Sequence, residues 1–106
     1  MEQLTDSNFE QATATGLVLV DFFAPWCSPC RNIAQTIEAM AKEYEGKVTV
    51  CKVDIDENSE VPARFGIKNI PTFILMKDGS EVNRFVGAGF PTTNKIKEAL
   101  SPLLRE

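Results

Sequence analysis

The stretch Leu17-Val18-Leu19-Val20-Asp21-Phe22-Phe23-Ala24-Pro25-Trp26-Cys27-Ser28-Pro29-Cys30 joins two kinds of pattern. Its first half, Leu17–Phe23, is branched or aromatic at nearly every position and follows Gly16, which is how a buried strand reads. From Cys30 onward the period changes. Ile33, Ile37, Met40 and Tyr44 step by 4, 3 and 4, the apolar stripe of an amphipathic helix, and Gly46 is a suitable stop. A Cys-x-x-Cys pair therefore sits at a strand-to-helix junction, with Cys27 just outside the helix and Cys30 inside its first turn.

Working outward, residues 5–14 read as a short helix. Thr5, Asp6 and Ser7 can each cap it, and Ser7 with Glu10 has capping-box spacing. Downstream, residues 47–55 form a second expected strand. Residues 57–65 form a short helix with Asn58 or Ser59 as cap, Pro62 in its first turn and Gly66 past its end. Residues 71–77 and 81–86 are two more strands, and Asp78-Gly79 between them is a strong hairpin signal. Residues 92–104 make a last helix with Ile96, Leu100 and Leu103 on one face. Pro102 is expected to end or kink it near Ser101. Alternating strands and helices imply parallel βαβ units, here followed by an antiparallel hairpin, so the fold class is α/β. No repeat, low-complexity tract or linker divides the chain, and residues 1–106 are expected to be a single domain.

Composition narrows the function. Hydrophobic residues make up 43% of the 106, enough for a core that needs no disulfide staples. Eleven Lys and Arg against fifteen Asp and Glu give a net charge of −4, which argues against a nucleic-acid partner. Met1-Glu2-Gln3-Leu4-Thr5-Asp6 is polar and acidic, unlike a signal peptide. The longest apolar runs, such as Leu17-Val18-Leu19-Val20, are far below a membrane span. The expected location is therefore the cytoplasm, with no membrane association. Structural disulfides are rare there, so a close cysteine pair points to catalysis or metal binding.

Free backbone N–H groups and the positive end of a helix dipole favour a thiolate at Cys27. The thiolate is the nucleophile of disulfide exchange, and Cys30 is close enough to resolve a mixed disulfide. Pro29 stiffens the short loop and suits a helix start. Three blander readings compete. A purely structural disulfide would close so short a loop that it removes little chain entropy. A zinc site needs about four ligands, yet only Cys51 remains and there is no histidine. The third is two core cysteines at chance spacing. Redox chemistry is the reading best suited to a Cys-x-x-Cys at this junction. Cys51, among valines, reads as a small core hydrophobe.

Together with Val20 to Cys30, three further runs carry a resemblance: Lys52-Val53-Asp54-Ile55-Asp56, then Phe65-Gly66-Ile67 with Ile70-Pro71-Thr72, then Val86-Gly87-Ala88. Over essentially its whole length the chain resembles the thioredoxin family. The resemblance implies a thioredoxin fold, a central mixed β-sheet of about five strands flanked by four helices. It implies a protein-disulfide reductase with Cys27 and Cys30 as its redox-active disulfide, and no bound cofactor. The implied partners are disulfide-containing proteins and a thioredoxin reductase, itself a flavoenzyme, and the implied state is a monomer.

Individual residues acquire expected roles in the same way. Asp21 breaks the strand pattern; by period alone an exposed position and a buried carboxylate with a task are equally open. The resemblance implies the buried one, shuttling the proton of Cys30 with its pKa raised by desolvation. Lys52 reads as a solvated strand-end residue, and the resemblance puts it near Asp21. Sequence alone would make the Ile70–Pro71 bond trans. The resemblance implies a cis proline opposite the cysteines, where Ile70, Pro71 and Thr72 pair with substrate backbone. Trp26, Ser28, Pro29, Gly87 and Ala88 would complete the substrate groove.

Several residues depart from the family pattern. Ser28 replaces a Gly, and a hydroxyl donating to the Cys27 thiolate would make the couple somewhat more oxidising. Gln35 replaces a helix-kinking proline, so a straighter helix is expected. Asn69 replaces a Gly, and Phe23 a second Trp. Gly89-Phe90-Pro91-Thr92-Thr93 reads as a link into the last helix about two residues longer than usual. Two rivals remain: a dithiol oxidase or isomerase, separated by its reduction potential, and a scaffold whose effect survives loss of both cysteines.

Overall fold

The computed structural model describes residues 1–105. In chain order the elements are β1 (Glu2–Leu4), α1 (Phe9–Ala12), β2 (Leu17–Phe23), α2 (Ser28–Glu43), β3 (Thr49–Asp54), α3 (Glu60–Arg64), β4 (Thr72–Lys77), β5 (Ser80–Val86) and α4 (Phe90–Leu104). The strands form one sheet in the order β1-β3-β2-β4-β5. β1 and β2 run parallel to β3, while β4 is antiparallel to β2 and to β5. Five strands in a mixed sheet with four helices is the fold class that the resemblance implied.

Alternation along the strands sorts the core into two layers. Leu19, Val50, Phe73 and Leu75 face one way and pack against Ile33, Ile37 and Met40 of α2 and Ile96 and Leu100 of α4. Val18, Val20, Phe22, Cys51, Val53, Ile74 and Met76 face the other way, against Phe9 of α1 and Val61 of α3. Side chains two apart on a strand share a face. Asp21 and Phe23 therefore lie on the face of Leu19, toward α2. Lys52 lies on the face of Val50, and the register pairs it with Asp21. The period of two thus brings a carboxylate and an ammonium to the face that carries the second cysteine.

The structure corrects several local expectations. β1 went unread as a strand because three residues, Glu2-Gln3-Leu4, are too short to show a period. α1 is a single turn, and the Ser7–Glu10 capping box does not form; Asn8 occupies the cap and its Oδ1 accepts the Thr5 N–H. α3 is shorter than 57–65, and neither Asn58 nor Ser59 caps it with a side chain. Asp6 does so from 55 residues away, its two carboxylate oxygens accepting the N–H groups of Val61 and Glu60. The Asp78-Gly79 hairpin is as read: φ is +49° at Asp78 and +85° at Gly79, the two positive values of a type I′ turn. α4 begins two residues early at Phe90, so what read as an extended link is its first turn. It also continues past Pro102 to Leu104, because a proline in the last turn removes only one hydrogen bond from an end that would fray anyway. α2 runs unbroken through Gln35.

Candidate active site

Cys27 is the N-cap of α2, with extended backbone (φ −83°, ψ 109°), and Ser28, Pro29 and Cys30 form the first turn. Pro29 fits there because its missing N–H would be unpaired in any case. Cys27 and Cys30 are joined as a disulfide with their Cα atoms 5.3 Å apart. The Cys30 N–H donates to Cys27 Sγ at 3.2 Å. In the reduced protein that bond and the helix dipole favour negative charge on Cys27. Cys30 instead has its own N–H engaged and lines a pocket on the sheet side of α2. Exposure does not separate the two, since Cys27 is 4% and Cys30 5% exposed. The difference between them is electrostatic.

A pocket of about 330 Å³, open to solvent at one side, lies between β2, β3 and α2, with Asp21, Cys30, Arg31 and Lys52 in its wall. Asp21 is 5% exposed, and its Oδ1 has no hydrogen-bond partner among the described residues. Burial pushes its pKa up to about 7, and the Lys52 ammonium opposes the shift. Lys52 Nζ lies 5.2 Å from the centre of the Phe23 ring, and both residues line the pocket.

Facing the cysteines is the loop before β4. The Ile70–Pro71 bond is cis. Cys27 Sγ lies 3.8 Å from the Ile70 carbonyl oxygen. Gly87 donates its N–H to the Pro71 carbonyl at 2.9 Å, bringing Gly87 and Ala88 alongside. Gly87 has φ +102°, a region that side chains rarely adopt, so this turn itself calls for glycine. Thr72 is placed differently from the other groove candidates. It is 2% exposed and its hydroxyl donates to the Asn69 carbonyl, so its side chain braces the loop from inside.

Trp26 is 65% exposed beside the disulfide, and its Nε1–H donates to Asp56 Oδ2 at 2.9 Å. Asp56 was not among the expected site residues, although it lies in one of the runs that carried the resemblance. Arg31 was also missed. Its guanidinium donates to the Pro25 carbonyl at 2.7 Å and to Ser28 Oγ at 3.0 Å, tying together the two sides of the cysteine loop. The spacing of Ser28 and Arg31 on a helix start was the available signal.

Among the described residues Ser28 makes no hydrogen bond to Cys27. Arg31 draws on the hydroxyl oxygen and leaves its proton free for a thiolate. Ser28→Gly should therefore lower the reduction potential by about 10–30 mV. An exposed hydrogen bond contributes roughly 0.5–1.5 kcal/mol, and 30 mV corresponds to about 1.4 kcal/mol for this couple. A redox titration against glutathione measures it; an equal or higher potential in the variant excludes the effect.

Cys51 is buried, with Sγ 3.7 Å from the Leu19 carbonyl oxygen. Burial, together with the Glu2 and Asp21 carboxylates, pushes its thiol up to about 12. It stays a protonated core thiol and does not compete as a nucleophile. Among the described residues no group of three His, Cys, Asp or Glu side chains is placed to hold a metal, and no helix is long and apolar enough to cross a membrane.

Comparison with known proteins agrees with this geometry. A family model described as thioredoxin matches residues 1–101. The chain is 46% identical to a thioredoxin of Staphylococcus haemolyticus over 98 residues, which is 92% of each chain. It is 47% identical to thioredoxin 1 of a Nostoc species over 93 residues, 86% of this chain and 87% of that one. The crystal structure of Fasciola hepatica thioredoxin superposes with a TM-score of 0.85 at 42% identity, covering 96% of this chain and 98% of that one.

Proposed function

The chain belongs to the thioredoxin family and is a thiol–disulfide oxidoreductase, and on that premise we propose how its residues divide the work. The reduced Cys27 thiolate attacks a disulfide of a protein substrate. One substrate sulfur bonds to Cys27 while the other leaves as a thiolate and takes a proton from solvent. Cys30 then gives its proton to the Asp21 carboxylate and attacks Cys27 Sγ. The Cys27–Cys30 disulfide forms and the second substrate sulfur is released. A thioredoxin reductase returns two electrons to the pair. We take that reductase to be a flavoenzyme, the protein to act as a monomer, and its compartment to be the cytoplasm, where Cys51 would persist as a free thiol.

The observation that carries this reading is the Cys30 N–H on Cys27 Sγ at the start of α2, with the Ile70 carbonyl beside the same sulfur. The N–H singles out that sulfur as the stabilised thiolate, and the carbonyl marks the loop that faces it. A substrate strand laid along Ile70-Pro71 would come within reach of that sulfur. The pocket beside Cys30 supports the second step. It joins Asp21 to Cys30 and is roomy enough for a water to carry the proton. Lys52 keeps part of the Asp21 population ionised and so able to accept a proton near neutral pH. Its role is electrostatic.

Reductase-coupled turnover of a disulfide-linked protein tests the reading, and its absence would refute it. Trp26 adds a second check. An exposed aromatic held by Asp56 beside the reacting sulfur is a docking element. Trp26→Ala should lower kcat/KM for protein disulfides about tenfold, on the scale of truncating an aromatic anchor. It should leave reduction of a small disulfide nearly unchanged. Equal losses for both substrates would assign Trp26 to the chemistry instead.

A further inference from the structure

Phe90, the first residue of α4, is 83% exposed, more than any other large hydrophobic side chain among the described residues. It borders a cavity of about 460 Å³ between the starts of α2 and α4. Pro29, Ile33 and Thr36 form one wall, and Ala88, Phe90 and Thr93 the other. No charged side chain lines it. The cavity lies next to the reaction site: Pro29 in its wall sits between the cysteines, and Ala88 follows Gly87, whose N–H is bonded to the Pro71 carbonyl. A polypeptide held at Cys27 along Pro71 and Gly87 would therefore pass beside this cavity.

We propose that Phe90 and the adjoining cavity form a specificity subsite that receives a bulky apolar side chain flanking the reacting cysteine of a disulfide-bearing protein. The inference rests on the oxidoreductase reading and names which substrates that site prefers. The cavity holds Asn32, Thr36 and Thr93 but no counter-charge for an acidic or basic side chain, while Pro29, Ile33, Ala88 and Phe90 offer apolar surface. The exposed Phe90 ring gains its contacts only when a partner covers it. The position follows from the unusual start of α4: Gly89 at the cap has φ +119°, and Pro91 follows Phe90 in the first turn, which fixes the chain as it leaves Phe90.

The test uses the full chain and three probes. Two are disulfide-linked peptides that differ only in carrying Leu or Ser two residues from the reacting cysteine. The third, bis(2-hydroxyethyl) disulfide, is too small to span the distance. Wild type should favour the Leu probe about tenfold in kcat/KM, the scale of one apolar side chain in a pocket. Phe90→Ser should bring the preference within about twofold while leaving the small disulfide unaffected. Thr36→Arg, which charges the opposite wall from an exposed position, should do the same. Persistence of the preference in both variants overturns the inference, as does its absence in wild type. A wild-type dimer that dissociates on Phe90→Ser also overturns it, by assigning the face to a second copy. Failure of wild type on all three probes defeats the oxidoreductase reading itself, which is a separate outcome.

Discussion

Asp21→Asn is expected to stabilise the protein at alkaline pH and to slow it at the same time. The sign follows from burial. The folded pKa of Asp21 is raised from 3.8 to about 7, so between those values the folded state holds a proton that the unfolded state has released. Stability therefore falls as pH rises from about 4 to 7 and levels off above that, a total penalty of roughly 4 kcal/mol at 1.36 kcal/mol per unit. Asn carries no charge and escapes the penalty, although its amide inherits the unpartnered site and Lys52 loses its counterion. A net gain of about 2 kcal/mol at pH 8 corresponds to a Tm increase on the order of 10 °C for a chain of this size. The gap should close toward pH 4. In turnover the variant should lose on the order of 10²-fold, the lower end for a positioned acid–base group, and lose the wild type's change of rate near pH 7. Melting curves and rates from pH 4 to 9 measure both. A Tm difference independent of pH would remove Asp21 from the buried, charge-averse role. An unchanged rate would remove it from the proton path.

Cys27→Ser and Cys30→Ser should be inactive for different reasons. Removing Cys27 removes the nucleophile, and turnover should fall at least about 10³-fold, leaving background exchange. Removing Cys30 leaves that nucleophile at the helix start but takes away the resolving thiol and not the attacking one. Cys30→Ser should therefore react once and stall, consuming one equivalent of a chromogenic disulfide, whereas Cys27→Ser should show almost none. The Ser at 30 keeps its backbone N–H, so the donor to Cys27 Sγ survives. Single-turnover absorbance separates the two. Equal bursts from both variants would contradict the division of labour between the sulfurs.

Much of this is legible in the amino-acid sequence. The β2–α2 junction carried its own signal, because the apolar period changes from strand to helix just where the cysteines lie. The hairpin at Asp78-Gly79 was readable because both residues tolerate positive φ. The face of Asp21 was not settled by period alone, since Leu17–Phe23 is apolar on both faces and a strand buried on both sides shows no alternation. Only the helices packed above and below it, brought from elsewhere in the chain, decide that Asp21 meets α2. Other misses share this non-local origin. The cap of α3 is Asp6, more than fifty residues away, and Asp56 reaches Trp26 across thirty. No local motif encodes either. The start of α4 was misplaced because Gly89 and Pro91 look like loop residues, whereas a glycine at the cap and a proline in the first turn also begin helices.

The central claim is that Cys27 alone forms the bond to substrate. It is tested most directly by incubating Cys30→Ser with a disulfide-linked protein such as insulin and mapping the adduct by peptide mass spectrometry. The account predicts one covalent partner, attached at Cys27, released by dithiothreitol and absent from Cys27→Ser. An adduct attached at Cys51, or no adduct from a folded Cys30→Ser protein, would contradict it.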